Sequence, residues 1–185
     1  SPTEFVDAIA NRFDSFNAKD GIVIALSPLL SLVTSGLLSQ PQKATLVFWR
    51  LQDVLPGHRA FSVYAENDPR VDMSRLRAAV PNWPSTPRDE NTVWYSLYRQ
   101  HEKAVSVRDA NRLFLLGRDL TACTAVLFFI GTGAVWAFGE SNLWAGIFSA
   151  IMIVQFILLA VAARRNGERL VLNVLAEVSN SAANE

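Results

Sequence analysis

Two apolar runs, each long enough to cross a bilayer, follow one another with only four residues between them: 120–138 (LTACTAVLFFIGTGAVWAF) and 143–163 (LWAGIFSAIMIVQFILLAVAA), separated by 139–142 (GESN). At about 1.5 Å of rise per residue, some 20 residues cover the roughly 30 Å of hydrocarbon in a bilayer. So short a turn-forming link makes the two helices an antiparallel hairpin. Trp136 and Trp144 flank the turn, where indoles are expected at a membrane interface. The alternative, a hairpin buried in a soluble core, fits poorly, because 185 residues would struggle to cover two all-round apolar helices of this length.

The distribution of charge points the same way. The 17 basic and 17 acidic residues cancel, yet none of them falls in 21–42, 120–139 or 141–163. The remaining 120 residues carry all 34, about 28%, which is an ordinary soluble density. The single cysteine, Cys123, lies inside an apolar run, which excludes a disulfide scaffold. Zero net charge also disfavours nucleic-acid binding through bulk charge, although a local basic patch stays open. The third apolar run, 22–38 (IVIALSPLLSLVTSGLL), is shorter and more polar, so it spans, re-enters or buries itself against the hairpin. The twenty residues before it are net acidic and lack the basic start of a secretory signal.

These features predict an all-α membrane protein with two or three transmembrane helices, a C-terminal helical hairpin and a mainly helical cytoplasmic part, assembled as an oligomer. Five segments follow: an amphipathic helix over 1–20 with Phe5, Ile9, Phe13 and Phe16 on one face, the first hydrophobic segment 21–42, a cytoplasmic part 43–119, the hairpin 120–163, and a C-terminal helix and tail 164–185. Arg108, Arg112 and Arg118 precede the hairpin and Arg164, Arg165 and Arg169 follow it, which puts both of its ends, and the C-terminus, in the cytoplasm.

Within 43–119, the residues 45–55 read as a short helix ended by Pro56 and Gly57, and 59–65 (RAFSVYA) as a brief extended segment. Asp72 is a good N-cap for a helix over 73–80, and 88–104 reads as a longer helix with an acidic first turn. Ser106 caps a helix that nothing stops before Phe138. Beyond Arg165, Leu170, Val171, Val174, Leu175 and Val178 form an apolar stripe at helical spacing, and 179–185 is expected to fray.

No nucleophile with a base, metal-ligand cluster or phosphate-cradling loop is present, so the chain reads as a non-enzyme without cofactor or metal. His58 and His101 have no second histidine or cysteine at ligand spacing. Two constellations remain. Ser27, Ser31 and Ser35 recur every four residues with Thr34 beside them, and Gln155 lies near the middle of the run 143–163. They serve either tight helix packing or a water-lined path, and four chains, for instance, would bring four copies around an axis. No ionisable side chain occurs inside any apolar run, which argues against a proton-coupled transporter or voltage sensor. On the soluble side Arg70, Arg75, Arg77, Arg88 and Arg99 are interleaved with Trp83, Trp94, Tyr95 and Tyr98. Guanidinium forks pair with phosphates and aromatic faces stack on bases, so the set suits a nucleotide or short single strand. The competing reading is positive charge beside the inner leaflet with Trp94, Leu97 and Tyr98 as a buried helix face.

The segments 68–77 (DPRVDMSRLR), 89–101 (DENTVWYSLYRQH) and 112–122 (RLFLLGRDLTA) resemble those of a group of small bacterial membrane proteins with the same order of motifs before a C-terminal hairpin. The architecture is similar to the membrane effectors of nucleotide-signal anti-phage systems, among them the channel family of the Hailong system. That resemblance implies a homo-oligomeric channel in the bacterial inner membrane, gated by a nucleic-acid-like ligand that a partner nucleotidyltransferase makes. A membrane-anchored scaffold without conductance is the alternative.

Overall fold

The computed structural model describes residues 36–138 and 142–181. The chain divides into two units, 1–37 and 38–185, and the account below is of the second. The amphipathic segment 1–20, most of the first apolar run with Ser27, Ser31, Thr34 and Ser35, the tight turn 139–141 and the end of the tail lie outside the described residues. Every element within them is helical, and no strand occurs there.

Two long helices set the frame, α4 (Val105–Phe138) and α5 (Asn142–Ser181). Both meet the length and hydropathy needed to cross a membrane. They run antiparallel in one register: Ser106 meets Glu177, Gly117 meets Ala163, Thr124 meets Gln155 and Gly131 meets Phe148. Neither helix breaks where its charges begin, as the continuous patterning of the sequence predicts.

The smaller elements gather around the charged half of this hairpin. They are α1 (Gln40–Phe48), a 3-10 turn Pro56–Arg59, a π-helical turn Ala60–Ala65, α2 (Met73–Ala79) and α3 (Pro87–His101). Helix α1 packs on α4 and α5, α2 and the π turn pack on α5, and α3 packs on the 3-10 turn and α5. The stripe Leu170, Val171, Val174, Leu175 and Val178 is buried throughout, and supplies the spine of the core together with Phe61, Leu76, Trp94, Leu97 and Phe114. Each such side chain contributes about 1.5–3 kcal/mol gross on leaving water. The charged half of α5 thus buries its apolar stripe against the smaller elements and α4.

Polar ties lock the bundle to the hairpin. Asn173, buried on α5, donates from Nδ2 to the Ser106 carbonyl at 2.8 Å and accepts from Arg70 Nη1 at 3.2 Å. Asp72 caps α2 as the sequence predicts, accepting from the backbone of Ser74 and Arg75 at 2.9 and 3.2 Å. Gly57 is required by contact: a Cβ there would lie 2.5 Å from Asn91 Oδ1 and 2.7 Å from the Trp94 ring.

Four expectations are corrected. Residues 59–65 are helical, not extended, because Glu90 Oε2 accepts from the backbone N–H groups of Phe61 and Ser62 at 2.8 and 3.1 Å and caps the π turn from another helix. The helix expected over 45–55 ends at Phe48, since Trp49 turns left-handed at φ 53° while Arg164 donates to the Val47 carbonyl at 3.0 Å and covers the Trp49 ring at 4.7 Å. A cation placed on the last carbonyls is a favourable helix stop. Ser106 is not a cap; it lies inside α4 and its hydroxyl donates to Glu177 Oε1 at 2.7 Å. Ser179 does not fray but is fully buried, with α5 continuing to Ser181.

Glu90 gives the first testable consequence. Glu90→Ala leaves the buried Phe61 N–H and the part-buried Ser62 N–H without an acceptor and should cost about 2–4 kcal/mol, whereas Glu90→Gln retains one acceptor and should cost less. Thermal unfolding of the purified variants measures the difference, and hydrogen exchange at Phe61 and Ser62 should rise in both.

Candidate functional site

Two helix faces make one cleft. On α3, Trp94, Tyr95, Tyr98 and Arg99 project together, at spacings of one, three and one. On α4, Asn111, Phe114, Leu115 and Arg118 do so at spacings of three, one and three. Between them opens a cleft of about 580 Å³, closed by Leu55, Pro56 and Leu170 and reached by Gln40. This volume suits a small ligand.

The walls combine flat aromatic surface with a few directed polar groups. Trp94 stacks on Tyr98 with ring centroids 5.7 Å apart, and Tyr95 lies 6.0 Å from Tyr98. The Trp94 Nε1 atom is buried and meets no hydrogen-bond partner among the described residues. Arg99 is exposed and bonded to Glu102 at 3.0 Å. Partial burial, and then the neighbouring Glu102, raise the Tyr98 phenol above its ordinary range, so it stays protonated and can donate at neutral pH.

The base of the cleft is also the charge boundary of the hairpin. Arg118 is buried, and its Nε and Nη2 donate to Asp119 Oδ1 at 3.1 and 3.0 Å. The same oxygen accepts from Lys43 Nζ of α1 at 3.1 Å. One carboxylate oxygen therefore joins α1 to α4 where the charged half ends, and two cations face one anion there. Buried charges persist only with such partners.

Of the ligand-binding residues expected from the sequence, Trp94, Tyr98 and Arg99 meet in this cleft, and the other four lie elsewhere. Arg70 forks onto Asp68 and reaches Asn173, Arg75 pairs with Asp72 at 3.2 Å, and Arg77 covers the Trp83 ring at 4.6 Å. Arg88 lines a separate groove with Leu51, Gln52, Asp53, Thr86 and Pro87. Sequence reasoning missed Asn111, Gln40 and Lys43, and used Arg118 only as a topological charge. The spacing 111, 114, 115, 118 on the last turns before the charge-free run was the available signal.

In the apolar half, Gln155 is exposed and its Nε2 lies 3.5 Å from the hydroxyl of buried Thr124, so the amide has a weak partner on the neighbouring helix. Thr121 and Ser149 bond back to the carbonyls of Gly117 and Ala145 at 2.8 and 2.7 Å, which lets hydroxyls sit in an apolar helix at little cost. Among the described residues no group of three or more His, Cys, Asp or Glu gathers as a metal site. No protein family, curated protein or solved structure matches the chain.

The acid sensitivity of the bundle follows from Asp68 and Asp72. Hydrogen bonds from Arg70 hold the Asp68 carboxyl below its ordinary range, and those from the Ser74 hydroxyl, then from the Arg75 backbone, do the same for Asp72. A depressed folded pKa stabilises at pH above the unfolded value, about 3.9, and that stability is lost as pH falls through the folded values. The unfolding midpoint should therefore drop below about pH 4. Asp68→Asn should start lower at neutral pH and show a shallower acid dependence, as circular dichroism at several pH values would report.

Proposed function

We propose that the chain is an oligomeric channel or pore-forming effector of a bacterial inner membrane, gated by a nucleotide or nucleic-acid-like ligand bound in the α3/α4 cleft on its cytoplasmic side. The observation that carries this reading is the continuity of α4. Its first turns form one wall of the cleft, and its later turns form half of the apolar hairpin without an intervening break. A ligand that bridges α3 and α4 across the cleft acts directly on a helix long enough to span the bilayer.

Two further features support it. Only 11% of the most apolar stretch of α5 is buried within one chain, which leaves broad faces for lipid and for further copies. Gln155 lies on such a face among Ala150, Ile151, Val154 and Leu158, where an amide gains from a second copy or a wet lumen. The aromatic walls and Arg99 suit a base and a phosphate. With the sequence resemblance, they favour a role in anti-phage defence beside a ligand-making nucleotidyltransferase.

Dye release from liposomes containing the purified protein tests the reading. Release should depend on the ligand, and Gln155→Leu should lower it with the oligomer intact. Arg99→Ala and Asn111→Ala should weaken binding of a labelled short DNA strand or nucleotide about tenfold. Vesicles that stay impermeable under every ligand condition, with the oligomer intact, would leave the chain a membrane-anchored scaffold.

A further inference from the structure

A second basic cluster shares no residue with the cleft. Arg164 is the first residue after the charge-free run 141–163. Besides donating to the Val47 carbonyl, its guanidinium lies over the Trp49 ring, which places it against the residue preceding Arg50. Arg59 ends the 3-10 turn, and the π turn that follows packs on α5 and carries Tyr64. Tyr64 is half-buried, and Arg50, Arg59, Arg164 and Glu168 all act on its hydroxyl electrostatically, so the four groups lie within electrostatic reach of one phenol.

Among the described residues this cluster is not satisfied. Arg50 Nη1 is buried and has no hydrogen-bond partner among the described residues. The Arg50 and Arg59 side chains form no ion pair there, and Glu168, the carboxylate that acts on the same phenol, bonds to neither. Three guanidinium groups acting on one half-buried phenol also repel one another, and a buried donor left empty is rare in folded proteins. An anion with several acceptor oxygens removes both penalties. Guanidinium forks match the geometry of phosphate in particular.

We propose that Arg50, Arg59 and Arg164, with the Tyr64 hydroxyl, form a phosphate-binding site at the end of the apolar half of the hairpin, occupied by the headgroup phosphate of an anionic lipid. The depth of the site favours lipid over a soluble phosphate. Arg164 directly follows the charge-free stretch 141–163, which contains the second apolar run, so its guanidinium lies at headgroup level when that run spans. Trp49, more than half exposed beside it, has the amphipathic character of an interfacial anchor. The site rests on the hairpin crossing a bilayer, which is part of the reading above, and is independent of conductance.

The test uses the full chain in phosphatidylcholine nanodiscs with and without phosphatidylglycerol, reading the thermal midpoint and, by native mass spectrometry, the lipid retained on extraction. Phosphatidylglycerol should raise the midpoint and be retained about tenfold better by the wild type than by R50Q/R59Q. R50K/R59K should keep part of the effect, and R112Q, an exposed arginine outside the cluster, should retain all of it. Stabilisation by inorganic phosphate or pyrophosphate in pure phosphatidylcholine, lost in R50Q/R59Q, would support the site with a soluble source. Equal retention by the wild type and R50Q/R59Q, or an equal loss in R112Q, would overturn it. Should R50Q/R59Q fail to fold, a wild-type midpoint that responds to neither phosphatidylglycerol nor phosphate overturns it as well. Failure of the wild type to enter nanodiscs would overturn the site together with the membrane reading.

Discussion

The close backbone crossing of α4 and α5 is the contact on which the rest of this structure is arranged. A Cβ at Gly117 would lie 3.1 Å from the Ala163 Cβ and 3.2 Å from its Cα, so glycine and alanine are what allow the helices to approach here. One turn further along α5, Gly167 meets the rings of Phe48 and Phe114 at contact distance, and those rings lie 6.2 Å apart. Three helices are thereby fixed at a single level. Small residues have this effect between apolar helices because dispersion, with little hydrophobic drive, holds such helices together.

That level is also where solvation changes along the chain. On one side the helices are all-round apolar and mostly uncovered; on the other they carry a buried stripe and are wrapped by α1, the two turns, α2 and α3. Charges collect at the transition because they cannot go further: Lys43, Arg118 and Asp119 on one flank, and Arg164 with its cap on α1 on another. Helix α1 is held by both groups, through Lys43 near its start and the Val47 carbonyl at its end. The cleft and the arginine cluster thus belong to one polar collar, built from the last residues able to hold a charge before the apolar half.

Much of this was legible in the sequence, for reasons that are local. The lengths of α4 and α5 follow from periodicity without a breaker, the α2 cap from Asp72, and the buried faces of α3 and α5 from 3.6-residue spacing. What stayed illegible depends on partners distant in the chain. Residues 59–65 alternate like a strand, and only Glu90, 28 and 29 residues away, makes them helical. Helix α1 stops early because of Arg164, 117 residues on. The candidate site divides in the same way. Trp94, Tyr98 and Arg99 share a helix face and so meet in one cleft, while Arg70, Arg75, Arg77 and Arg88 were joined to them by composition alone. Each of the first three has an internal partner that no spacing rule reveals.

The close crossing at Gly117 has a mechanical consequence. About 18 Å of α4 lies between Gly117 and Val105, and about 32 Å between Gly117 and Phe138. A rigid rod pivoting at that fulcrum magnifies movement by nearly twofold from its short arm to its long one. An ångström of displacement beside Ser106 becomes almost two at the far end of the helix, with no hinge needed in between.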